Sequence, residues 1–168
     1  EGYALFITNS DGLPQNDLEL LSLLVTRGVD GLFLVVGDEV ADDRALFDEL
    51  SNLSVPFVMV DRVVDELVCD KVMFDHELGG YMATRDLLQM GHRRIACMVN
   101  AKKTITGRKR LAGYRRALRE SGIRADQSLV LESEYYIESA YEAAQGVLES
   151  DATAVFASSD NISLGLLK

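Results

Sequence analysis

Asp75-His76-Glu77-Leu78-Gly79-Gly80-Tyr81-Met82-Ala83-Thr84-Arg85-Asp86-Leu87-Leu88-Gln89-Met90-Gly91-His92-Arg93-Arg94-Ile95-Ala96-Cys97-Met98-Val99 is the stretch that decides the fold. Leu78, Met82, Leu87, Leu88 and Met90 are spaced for one face of a helix. Gly91 stands where a helix terminates. Ile95–Val99 is short and wholly apolar, the pattern of a buried strand. Strand end, helix, glycine stop and second strand make a β-α-β unit.

The same rhythm extends outward in both directions. Upstream, Tyr3–Thr8 reads as a strand, Asn9–Pro14 as turn chemistry and Asp17–Arg27 as a helix stopped by Gly28. Gly31–Gly37 follows as a continuous apolar strand, which implies burial on both faces of a parallel sheet. A helix over Asp42–Leu53 and strands over Val55–Asp61 and Lys71–Asp75 complete the first set. Downstream come a helix over Arg108–Ser121, a weak strand at Leu129–Leu131 and a helix over Ser139–Glu149. A strand at Ala154–Ala157 and a helix opening at Asp160 end the chain. Strands alternating with helices of this length predict an α/β fold with parallel, doubly wound sheets. The expectation is two Rossmann-like lobes, residues 1–75 and 76–168, with a cleft between them, each lobe incomplete.

Composition narrows the function. The 168 residues are 48% hydrophobic and 26% charged, an ordinary globular balance with no apolar run of about 18 residues to span a membrane. No secretory leader is read at the start. Net charge is −10 and uneven: residues 1–75 hold 4 Lys and Arg against 16 Asp and Glu, residues 76–168 hold 13 against 11. Such an acidic chain does not grip a phosphate backbone itself. Cys69 and Cys97 have no metal-site spacing. Cys97 reads as a small core residue, and the cytoplasm is the expected compartment.

Catalytic patterns are missing. No Gly-x-Gly-x-x-Gly, no phosphate-binding P-loop and no Gly-x-Ser-x-Gly elbow occurs, so neither a cofactor nor an enzyme is expected. His92, after a helix-stopping glycine, reads as a capping or packing group. His76 is the better candidate base, but no nucleophile accompanies it. The pairs Asp42-Asp43 and Asp65-Glu66 read as a solvated helix start and a loop, without metal. The basic run Lys102, Lys103, Arg108, Lys109, Arg110, Arg115, Arg116 and Arg119 reads as a loop and an exposed helix face.

Ligands of open α/β sheets bind beyond the carboxyl ends of the strands. Polar groups gather there: Asn9 and Asp11, Asp61 and Arg62, Asp75, Lys102–Arg110, Glu134 and Tyr135, and Ser158–Asn161. Each residue alone could serve as a turn or helix cap. Together, carboxylates, amides, hydroxyls and one aromatic suit a polyol. Arg110 stands out, because its planar donor fork fits vicinal hydroxyls or a carboxylate.

Seven segments in register resemble the lactose-repressor (LacI-type) family of sugar- and nucleoside-sensing transcription regulators. They are Gly2–Gly12, Arg27–Leu32, Val55–Arg62, Gly79–Thr84, Leu87–Ala96, Arg110–Tyr114 and Ala154–Gly165. The resemblance implies a periplasmic-binding-protein-like effector domain without its first strand and helix and without its last elements. It implies effector contacts at Asp61, Thr106, Arg110, Tyr135, Ser159 and Asp160. Ser159 stands where many members carry asparagine. The implied partners are a small sugar or nucleoside, a second copy forming a homodimer, and operator DNA through an N-terminal helix-turn-helix absent from this chain. A periplasmic sugar receptor of a transporter is the alternative use of the fold.

Overall fold

In a computed structural model describing residues 2–10, 14–37, 43–64 and 66–168, the chain divides into two units between Phe74 and Asp75. The features expected at Asp11, Gly12, Asp42 and Asp65 lie outside the described residues. The first unit contains α1 (Pro14–Thr26), β1 (Leu32–Leu34), α2 (Arg44–Ser51), β2 (Phe57–Val60) and β3 (Asp70–Val72). Its strands run parallel in the order β1-β2-β3. Asp43 opens α2, its Oδ1 accepting from the backbone N–H of Ala45 and Leu46 at 3.0 and 3.1 Å. Leu21 of α1, Leu46 and Leu50 of α2, and Leu32 and Met59 of the sheet bury one another, joined by Val64 and Leu67 from the β2–β3 connection.

Two expectations for this unit fail. Tyr3–Thr8 carries no strand; Leu5 is 80% and Ile7 85% exposed. The run has strand-forming side chains, but a strand exists only when a neighbour supplies its ladder of hydrogen bonds. Gly31–Gly37 is not buried on both faces. Leu32 and Val36 are buried while Phe33 is 79% exposed. The buried contacts of α1 and α2 fall in a single cluster, so among the described residues the alternating side chain at Phe33 is left uncovered.

The second unit contains α3 (His76–Gln89), β4 (Ile95–Val99), α4 (Ile105–Glu120), β5 (Val130–Glu132), α5 (Ile137–Leu148), β6 (Ala154–Ala157) and α6 (Asp160–Leu167). A 3-10 turn at Gln127–Leu129 takes only the first residue of the strand expected at Leu129–Leu131, and β5 runs one residue later. The three strands are parallel in the order β5-β4-β6. All five residues of β4 are buried. Ile95, Cys97 and Val99 pack with Leu88, Leu111, Tyr114 and Leu118 of α3 and α4. Met98, of opposite parity, packs with Ala140, Ala144 and Ile162 of α5 and α6. Helices therefore cover both faces, which is why β4 is apolar throughout.

Local chemistry fixes these elements. Asp75 caps α3, accepting from Leu78 N at 2.8 Å. Gly91 ends the helix in a Schellman turn: at φ +97° it donates to Leu88 O at 3.1 Å, and His92 N donates to Leu87 O at 3.2 Å. Helices α3 and α4 touch backbone to backbone, since a Cβ on Gly113 would stand 2.0 Å from Glu77 O. The N-terminal ends of β4 and β6 are tied together by Arg94, which pairs with Asp151 at 2.7 Å and Asp126 at 3.0 Å, and by a 2.9 Å contact between His92 Nδ1 and Thr153 Oγ1.

Candidate functional site

The order β5-β4-β6 creates a switch point. Helix α4 leaves β4 toward β5, whereas α5 leads from β5 across to β6 on the other face. The chain therefore splays beyond the carboxyl ends of β4 and β6, where such sheets bind ligands. Asn100 and Thr104 follow β4. The Thr104 hydroxyl donates to Asn100 O at 2.6 Å and accepts from Gly107 N at 3.0 Å, capping α4. Capping at Thr104 starts α4 three residues before the expected Arg108. Ile105, Thr106 and Gly107 are weak helix formers, but Gly107 is required, because a Cβ there would stand 2.1 Å from Asn100 O.

Across the sheet, Tyr135 is held from two sides. Its hydroxyl is 3.3 Å from Thr104 Oγ1, and its carbonyl accepts from Asn161 Nδ2 at 2.8 Å. The Glu132 carboxylate accepts from the backbone N–H of Ala101 at 3.1 Å and Lys102 at 3.3 Å, and Lys103 pairs with Glu134. These contacts order the loop after β4 against the end of β5. Thr104 is included from sequence only as part of the polar run Lys102–Arg110, and Glu132 is not singled out. Their only signal is position, one just before a helix and the other at the end of a weak strand.

Arg110 is the centre of the arrangement. Its Nη1 donates to Ser158 O at 2.6 Å, and its Nη2 lies 3.2 Å from His76 Nδ1. The guanidinium thereby spans from α4 to the end of β6 and the first turn of α3. A guanidinium has five N–H donors, so among the described residues three remain after these contacts. Ser158 is 7% exposed, and its hydroxyl has no hydrogen-bond partner among the described residues. A buried hydroxyl left in this state beside a charged fork is a polar position that a ligand can satisfy.

The other expected residues fall as follows. Thr106, 6% exposed, is in the first turn of α4, one turn before Arg110. Ser159 caps α6, its hydroxyl accepting from Ile162 N at 3.3 Å, and Asp160 is exposed at the start of that helix. Thr106, Arg110, Tyr135, Ser159 and Asp160 thus share the strand-end side of the second unit. Asp61 belongs to the first unit, immediately after β2. It is the one non-glycine residue with positive φ among those described, at +65°. Arg62 N donates to Val60 O at 2.8 Å across it, a classic γ-turn, which is a strained conformation for an aspartate.

The sequence profile described as periplasmic binding proteins and sugar binding domain of LacI family matches residues 1–168. The chain belongs to this family. The regulator DegA of Bacillus subtilis is 32% identical over 160 residues, 95% of the chain and 48% of DegA. The repressor PurR of Vibrio atlanticus is 31% identical over 169 residues, 99% of the chain and 50% of PurR. The LacI-family chain thus spans about half the length of the curated relatives it matches. A LacI-family regulator from Enterococcus faecium, solved with bound ribose, superposes with a TM-score of 0.75 and 31% identity, covering 89% of the chain and 55% of that structure. These relatives are transcriptional regulators and not enzymes. Among the described residues no helix is long and apolar enough to cross a membrane, and no group of three His, Cys, Asp or Glu is placed to hold a metal ion.

Proposed function

We propose that this chain is the ligand-sensing part of a LacI-type transcriptional regulator and that its second unit binds a small sugar or nucleoside at the ends of β4, β5 and β6. The observation that carries the reading is the fixed guanidinium of Arg110, anchored on Ser158 O beside a buried, unmatched Ser158 hydroxyl. Donors already held in place lose little freedom on binding. Thr106, Ser159 and Asp160 supply further hydroxyl and carboxylate groups, and Tyr135 supplies a ring held at both its hydroxyl and its carbonyl. This set suits a ligand with several hydroxyls and one apolar ring face. Asp61 is the corresponding candidate of the first unit, at the end of its own central strand. Ribose in the Enterococcus faecium relative supports the ligand class.

The protein as a whole then acts in the cytoplasm as a homodimer, reading operator DNA through a helix-turn-helix outside this chain. Ligand controls that binding only by its difference in affinity between two arrangements of the protein. The test is operator binding by the full-length regulator, titrated with D-ribose and with inosine. A shift in operator affinity with either compound supports the reading. Unchanged operator affinity with saturating amounts of both contradicts it.

A further inference from the structure

We propose that His76 is the positioning residue that holds Arg110 in its ligand-binding orientation, with its neutral ring accepting a hydrogen bond at Nδ1. His76 is the first residue of α3 and is 7% exposed. Its Nδ1 lies 3.2 Å from Arg110 Nη2. A guanidinium has no acceptor, so the proton in this contact comes from Arg110 and the lone pair from Nδ1, which places the ring proton on Nε2. The second anchor is Ser158 O, 2.6 Å from Nη1. One hydrogen bond leaves a planar group free to turn about it. Two bonds, on different nitrogens and to different elements, fix its plane. The main chain of Arg110 is fixed by the same helix, since a Cβ on Gly80 would meet Arg110 O at 2.2 Å. Helix α3 therefore locates Arg110 at both ends of the residue, and the sequence feature that reads as a stray candidate base becomes a brace.

The proposal rests on the ligand reading above for what Arg110 then does, and the experiment separates the two. The full-length protein is taken as wild type, His76→Asn, which keeps an acceptor near the Nδ1 position, and His76→Leu, which removes it. Nitrogen NMR of the imidazole and of the Arg110 side chain is recorded without ligand, and affinity is measured with D-ribose and inosine. The expected result is an unprotonated Nδ1 in the wild type and an Arg110 side-chain signal that moves in His76→Leu but stays near its wild-type position in His76→Asn. Affinity is expected to fall about tenfold in His76→Leu, the equivalent of one hydrogen bond, and to be largely restored in His76→Asn. A protonated Nδ1, or an Arg110 signal and an affinity unmoved in His76→Leu, overturns the proposal. Should the wild type bind neither compound, the ligand reading fails, and the NMR result alone decides whether His76 holds Arg110.

Discussion

Gly79 and Gly80 are neighbours in α3 that make opposite demands on space. A Cβ on Gly79 would meet nothing within 4 Å, whereas one on Gly80 would stand 2.2 Å from Arg110 O and 2.9 Å from Arg110 C. Alanine at either position gains about 1 kcal/mol of helix propensity. Nothing opposes that gain at Gly79, so Gly79→Ala stabilises the protein by about 0.5–1 kcal/mol. At Gly80 the contact must open to at least 3.0 Å, which separates α3 from α4 by about 0.8 Å. These helices share Leu88, Leu111, Tyr114 and Leu118, all nearly inaccessible, so the gap loosens the main core of the unit. Overpacking of this kind costs about 1–3 kcal/mol, and a backbone carbonyl cannot rotate aside, which places Gly80→Ala near the upper end. The two variants should differ by about 3 kcal/mol, or about 6–12 °C in thermal midpoint for a chain of this size. Denaturant and thermal melts followed by circular dichroism provide the assay. Equal stability of the two variants, or Gly80→Ala as the more stable, would refute the backbone contact between α3 and α4.

Three further outcomes follow from the structure. Asp61→Gly relieves a left-handed residue and should raise stability by about 1 kcal/mol while weakening sugar or nucleoside affinity; unchanged or lower stability in a melt contradicts the γ-turn. Burial pushes the Cys97 thiol up to about 12, so in a labelling time course at neutral pH half-buried Cys69 should react first and Cys97 only as the second unit unfolds. Simultaneous labelling of both would contradict that burial. The Asp126 carboxyl is held below its ordinary range, first by hydrogen bonds from the Ser128 hydroxyl and backbone N–H, then by Arg94. Its stabilising effect is present above the ordinary aspartate value and lost as pH falls through the lowered one. Asp126→Asn should therefore flatten the acid limb of the stability curve below about pH 4, and an unaltered acid slope contradicts the assignment.

What was legible in the sequence follows the range of the interactions. Helix α3, its glycine stop and the buried strand Ile95–Val99 depend on spacing within a few residues, and they stand where the sequence places them. The buried face of α3 does not: His76, Gly80, Thr84 and Leu88 are buried, while Leu78, Met82 and Met90 of the expected apolar face are exposed, because α3 approaches α4 closely through small residues. Tyr3–Thr8 looked equally strand-like, but pairing is a property of two segments, and composition shows only one. Helix α4 begins earlier than its propensities suggest, because the Thr104 cap, which Gly107 leaves room for beside Asn100, overrides them. At the site, Arg110 was visible as a cation at a helix start. Its partners were not, since Ser158 is 48 and His76 34 residues away in sequence. Ser159 shows both of its possible uses: the structure assigns its hydroxyl to the cap of α6, and the proposed ligand contact must share it.

The ligand sensing proposed for the second unit depends on Arg110 anchoring a hydroxyl-rich ligand. Titration calorimetry of the full-length wild type and of Arg110→Ala, with D-ribose and with inosine, tests it most directly. Loss of a charged donor should weaken binding by about 10- to 100-fold, with the protein still folded. Equal affinity in the two proteins, or no binding of either compound by the wild type, would contradict the account.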